Sequence, residues 1–197
     1  MGTDPAPFMA NLYLYFYESK WIKEKTETDF GMVRQLYRCI YRFIDDLCAL
    51  NNHGHMDRHW KEIYPPELQL NKENDNDNNA TFLDLNINIK EKNIETSLYD
   101  KRDNFKFEIV SMPDLTGNIS EKTGYAVFMS QILRIAKNCQ KVEDTVERVE
   151  KMKKKLMCKG YTLQRLYKGA KKCTRRNDWI YKKYNISEAA LIKNWFP

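Results

Sequence analysis

The segment Cys39-Ile40-Tyr41-Arg42-Phe43-Ile44-Asp45-Asp46-Leu47-Cys48-Ala49-Leu50 sets two adjacent carboxylates between two apolar runs. Each run has the length and the β-branched and aromatic content of a strand. The simplest geometry is a β-hairpin with Asp45 and Asp46 at its tip. A carboxylate pair placed there can hold a divalent cation. Mg²⁺ takes oxygen ligands, keeps several waters and binds through one or two carboxylates together with substrate phosphates. The same residues also suit an ordinary polar turn, because an Asp side chain hydrogen-bonds nearby backbone.

Upstream, Asp4-Pro5 is a helix start, an N-cap residue before a proline at the first helical position. The spacing predicts a helix over 6–25 with Phe8, Leu12, Tyr15 and Phe16 near one face. Residues 26–31 break it, and 32–38 form either a short helix or the lead-in to the hairpin. Downstream, a helix over 56–63 ends before Pro65-Pro66. Leu68-Gln69-Leu70 reads as a short strand and 71–80 as a polar loop. From Thr81 the period becomes two. Phe82, Leu83, Leu85, Ile87 and Ile89 form one strand, and 94–99 its partner across Glu91-Lys92-Asn93. Residues 104–110 read as a further extended segment.

The chain then turns helical. Ser120 caps a helix over 121–138 with Tyr125, Phe128, Met129, Ile132 and Ile135 inward. Val142, Val146, Val149, Met152 and Leu156 mark a second helix that Gly160 ends. A third covers 162–174 and a short one 187–195. The fold class is therefore α+β, with a mixed part over 1–112 and an all-helical part over 113–197.

A chain of 197 residues can build one good core or two small ones. Its 42% hydrophobic and 13% aromatic content excludes a disordered chain. No apolar run approaches the ~20 residues of a membrane span. Five cysteines, an odd number without C-x-x-C spacing, point to reduced thiols and an intracellular setting, nuclear or cytoplasmic. The charge is unevenly spread. Residues 1–100 carry a net −6 and residues 101–197 a net +12, within an overall +6. A basic half joined to an acidic half with a candidate cation site suggests a polyanionic partner.

In this order the elements resemble retroelement reverse transcriptases, of the non-viral, Penelope-like and related kind, from mid-palm through thumb. Met1-Gly2-Thr3-Asp4-Pro5-Ala6-Pro7 followed by Ala10-Asn11 resembles the motif before the palm's long helix, which lies against the nascent base pair. Phe43-Ile44-Asp45-Asp46 resembles the aromatic-x-Asp-Asp turn, with Phe43 where many relatives have Tyr. Leu68 to Glu73 resembles the following segment, whose lysine, here Lys72, lies near the incoming triphosphate. Phe82-Leu83-Asp84 resembles the opening of the hairpin that grips the primer end. The helices after residue 118 would be the thumb.

The resemblance implies an RNA-directed DNA polymerase using two-metal nucleotidyl transfer with Mg²⁺. It makes Asp45 the principal metal ligand and Asp46 a weaker one. It places Gly2, Thr3, Phe43, Lys72, Phe82 and Leu83 around nucleotide and primer. The implied partners are a template–primer duplex and a dNTP. The family's palm also has an upstream catalytic aspartate and basic fingers, and neither is among these 197 residues. The expectation is the C-terminal part of such a polymerase, unable to extend primers by itself.

Two further groups stand out. Lys151, Lys153, Lys154, Lys155 and Lys159 end one helix, and Lys168, Lys171, Lys172, Arg175 and Arg176 follow on the next. Such residues hold phosphates without reading sequence, or form a solvated face. They support an alternative, a non-catalytic nucleic-acid-binding protein derived from such an element. His53, His55 and His59 have a spacing that could seat a transition metal, but no cysteine or acidic pattern supports one. Trp21, Trp60, Trp179 and Trp195 are expected in cores.

Overall fold

In the computed structural model, which describes residues 5–74, 76–91, 93–107 and 109–197, the chain is α+β and divides into two units, 1–74 and 75–197.

In the first unit, Pro5 stands at the start of α1 (Ala6–Thr28), where its fixed φ suits a first turn. Asp4, the expected cap, lies outside the described residues. α1 stops at Asp29, whose carboxylate accepts from the Met32 amide at 2.9 Å and so caps α2 (Phe30–Tyr37). Phe8, Leu12, Tyr15 and Phe16, read from the spacing as lying near one face, are exposed. The core gathers instead around the C-terminal half of α1, from Trp21, Val33, Leu36, Met56, Ile63 and Tyr64.

β1 (Ile40–Phe43) and β2 (Asp46–Ala49) pair antiparallel, and α3 (His55–Ile63) follows. Buried Asn52 donates to the Leu36 carbonyl at 2.9 Å and accepts from the Met56 amide at 2.5 Å, tying α2 to α3. A buried amide satisfied at both ends specifies the joint without a desolvation penalty. Leu68-Gln69-Leu70 is not a strand; its leucines pack on the core.

The second unit opens with a sheet of β3 (Asn79–Phe82), β4 (Leu85–Lys90) and β5 (Asn93–Leu98), in that order. The strand expected across 82–89 is therefore two strands. Phe82 pairs with Leu85, and Leu83-Asp84 makes the turn. The extended segment expected over 104–110 is absent among the described residues. Lys101–Asn104 is a 3-10 turn, and Phe105 and Phe107 beyond it are exposed. A strand there would need a sheet edge. At Thr96 the β5 edge is already taken, since Gln140 donates its amide to the Thr96 carbonyl at 2.9 Å and its side-chain oxygen accepts the Thr96 amide at 3.2 Å.

Helices α4 (Glu121–Asn138), α5 (Val142–Met157), α6 (Leu163–Arg176), α7 (Trp179–Lys183) and α8 (Glu188–Trp195) complete this unit; α7 was not expected. Ser120 caps α4 through the Thr123 amide. Phe128, Ile132, Leu156, Leu166, Ile180, Leu191 and Trp195 are almost fully buried between the helices. Leu98 of β5 belongs to the same core, and Arg148 of α5 donates to its carbonyl at 2.7 Å. The strands pack with the helices, so a boundary at 112 would cut through one core; the units part at 74. No helix among the described residues is long and apolar enough to cross a membrane.

Candidate metal site and basic surface

The Phe43–Asp46 pairing leaves Ile44-Asp45 as a two-residue turn. Ile44 has φ of 56°. A β-branched residue in the left-handed region is a genuine outlier, costing about 1–3 kcal/mol. Asp45 is at the apex and Asp46 begins β2, both exposed. Among the described residues, neither carboxylate has an ion-pair partner. Phe43 is 54% exposed and lies across the strands from Asp46, on the same face. The tip thus presents two uncompensated charges and a bare aromatic ring.

Arg42, between Tyr41 and Phe43, points to the other face. Its Nε lies 3.0 Å from Glu18 of α1; its terminal nitrogen donates to Asn11 Oδ1 at 2.7 Å and to the Ile44 carbonyl at 3.2 Å. Glu18 also accepts from the Tyr64 hydroxyl at 2.7 Å. The Arg42 and Glu18 side chains are only 17% and 13% exposed. Burial first, then the Glu18 charge at Tyr37 and the hydrogen bond to Glu18 at Tyr64, push both phenols well above their ordinary range, so both stay neutral. The network clamps the strained turn onto α1. Sequence reasoning passed over Arg42 and Glu18. The available signal was a cation at an inward position of a period-two strand, which requires a buried partner.

Two exposed carboxylates without counter-charge fit one hydrated hard cation, held with substrate phosphates. They do not make the paired-ion cage of a two-metal centre. No group of three or more metal-ligating side chains occurs among the described residues. Gly2 and Thr3 lie outside those residues. Lys72 is half exposed, 3.9 Å from Asp57 of α3. Phe82 and Leu83 belong to the second unit, with Leu83 exposed at the β3–β4 turn. His55 and His59 stack at 6.4 Å, and His59 lies 3.2 Å from Glu62. Trp21 and Trp195 are buried, and Trp60 and Trp179 pack against the two cores.

The basic residues fall into two sets. Lys151 pairs with Asp103 at 2.5 Å. Lys153 is buried and donates to the Trp195 carbonyl at 2.6 Å, and Lys159 donates to the Met112 carbonyl at 3.3 Å. These three are engaged in holding the fold. Lys154, 3.8 Å from Glu150, and Lys155 remain toward solvent. α6 is different: it carries six cations and no carboxylate. Arg165 pairs with Glu121, and Arg175 lies 3.6 Å from Glu188. Lys171 sits 5.9 Å from the Tyr167 ring. Lys168, Lys172 and Arg176 have no acidic partner among the described residues. Lys168, Lys171, Lys172, Arg175 and Arg176 line one open recess.

Comparison with protein-family models, with curated proteins and with solved structures finds no match for the chain.

Proposed function

We propose that the chain is part of an RNA-directed DNA polymerase of the retroelement reverse-transcriptase kind, with palm elements around the Asp45-Asp46 hairpin and a thumb built on α4 to α6. The observation that carries this reading is the carboxylate pair left without counter-charge beside exposed Phe43. Water alone can satisfy such a tip, but two open carboxylates beside an exposed ring are also what a hydrated cation and a stacked base would meet. In nucleotide addition a divalent cation supplies charge stabilisation to the attacking and leaving oxygens. Asp45 and Asp46 hold it, with Asp45 the principal ligand. Phe43 packs on the terminal primer nucleotide. Lys72 neutralises the departing pyrophosphate. Two carboxylates alone do not hold two metal ions, and no primer extension is expected from them without a further metal ligand.

Mn²⁺ titrated into the chain with an RNA–DNA hybrid tests this. Selective broadening of the amide signals at 43–47, absent in Asp45→Asn, is the expected result. Broadening elsewhere, or none, overturns the metal assignment. Primer extension by the purified chain, lost in Asp45→Asn, would overturn the claim of inactivity.

A second reading, a non-catalytic nucleic-acid-binding protein, is favoured by the uninterrupted cationic face of α6. It predicts hybrid binding that falls linearly in log K with log salt. That binding weakens when Lys168, Lys172 and Arg176 become Gln, and Asp45→Asn leaves it unchanged. Such binding with no Mn²⁺ effect at the tip selects this reading; no binding at all removes both.

A further inference from the structure

We infer that the N-terminal half of α1 is a homodimer interface, in which two copies of this chain pair antiparallel through Phe8, Leu12, Tyr15 and Phe16. The inference is independent of the polymerase reading. Residues 6–17 contain no charged side chain. A helix that is apolar on every side is normally a covered helix. Here Phe8 is 68% exposed, Leu12 50%, Tyr15 61% and Phe16 60%, with Met9 at 58% and Tyr13 at 46% beside them. At roughly 200 Å² per aromatic side chain, Phe8, Tyr15 and Phe16 of the stripe leave about 380 Å² of side-chain surface uncovered, and Leu12 adds to it. That is the size of a monomer's largest patch, about 300–600 Å², which is often a functional one. It is about half of the ~800 Å² that each partner contributes to a stable interface, the scale of a weak, reversible one.

The occupant that fits is a second copy. Positions 8, 12, 15 and 16 form one helical stripe, and Leu12 lies midway between Phe8 and Phe16. A two-fold axis at Leu12 therefore sets Phe8 of one copy against Phe16 of the other and Leu12 against itself, as an isologous contact requires. With no charge on the stripe, self-pairing meets no like-charge repulsion. A lipid surface would be met by a cationic rim, whereas Lys20, Lys23 and Lys25 alternate with Glu18, Glu24 and Glu27. Asn11 and Glu18, which hold the hairpin, lie on a neighbouring face of α1.

Sedimentation equilibrium of the full chain tests this. The expected result is a reversible monomer–dimer equilibrium without larger species. Leu12→Glu places two carboxylates at the axis and raises the dissociation constant at least about tenfold, with far-ultraviolet dichroism unchanged. Phe30→Glu, at an exposed apolar residue outside the stripe, leaves association as it was. Should Leu12→Glu fail to fold, Leu12→Cys in a Cys158→Ser background decides, because a short bismaleimide must join the two copies. A chain monomeric at every concentration overturns the proposal, as does open-ended growth, an association unmoved by Leu12→Glu, or a Leu12→Cys chain that does not cross-link. Monomers that bind anionic vesicles through this face overturn it in favour of a lipid surface.

Discussion

At the tip Phe43-Ile44-Asp45-Asp46, as at Phe82-Leu83-Asp84-Leu85, an aliphatic residue takes a positive φ between a Phe and an Asp: 56° at Ile44 and 54° at Leu83. Both tips are two-residue turns in antiparallel pairs. They differ in where the nearest cation goes. Arg134 reaches Asp84 with two nitrogens, at 2.8 and 2.5 Å. Arg42 turns away from Asp45 and Asp46 and serves Glu18 and the turn backbone instead. Backbone strain at an Asp-bearing turn is thus no mark of a site, because the second tip has it and is neutralised. What sets the first tip apart is charge left unanswered.

The largest test of this contrast is Glu18→Ala. It strands the largely buried Arg42 and removes the acceptor of Tyr64, and is expected to cost about 3 kcal/mol in urea unfolding. A loss below about 1 kcal/mol would mean that the clamp beneath the first tip is ornamental. Next come the tip carboxylates. Asp84→Asn breaks a two-pronged pair at a partly exposed site and is expected to cost about 1 kcal/mol. Asp45→Asn and Asp46→Asn break no pair and relieve repulsion between neighbours, so stability is unchanged or rises by about 0.5 kcal/mol. Equal losses at the two tips would erase the distinction. Smaller still, Leu83→Gly is expected to gain about 0.5 kcal/mol, the relieved strain outweighing the added chain freedom. A loss at position 83, measured the same way, would show that the positive φ there carries no strain.

The first hairpin was legible because Asp45-Asp46 interrupts two apolar runs at once. The second turn was not, because Asp84 alone interrupts an otherwise alternating run, and Leu83 sits where Gly or Asn would announce a positive φ. Helix α4 was legible from the Ser120 cap and its sorted period, and the end of α5 from Gly160, whose φ is 81°. The buried side of α1 was not, because residues 6–17 carry no charge to mark a solvent face. The failed strand over 104–110 turns on Gln140, far along the chain, having taken the β5 edge at Thr96. Among the basic residues, the sequence shows the cations but not their use. Nothing local marks Lys153 as the buried donor to the Trp195 carbonyl, while Lys168 and Lys172 meet no acid among the described residues.

Acid titration extends the contrast beyond the tips, with the smallest expected effect. Near the second tip the carboxylates are paired. Arg102 donates to Asp100 at 2.7 and 2.6 Å and holds its carboxyl down at about 2. Asp103 is also lowered: partial burial opposes the shift, and Lys151 and Arg148 outweigh it. An unfolded aspartate titrates near 3.9. A folded value below that adds stability that is complete above about pH 4 and is lost as pH falls toward 2. Because Arg102 is only two residues from Asp100, part of the pairing survives unfolding, and the loss stays below about 1 kcal/mol. Urea midpoints between pH 5 and 2.5 are expected to fall less steeply in Asp100→Asn than in the unsubstituted chain. Amide exchange followed residue by residue should place the difference in residues 75–197. Identical slopes would remove Asp100 as a source of acid sensitivity, and a difference confined to residues 1–74 would place the paired carboxylates in the wrong unit.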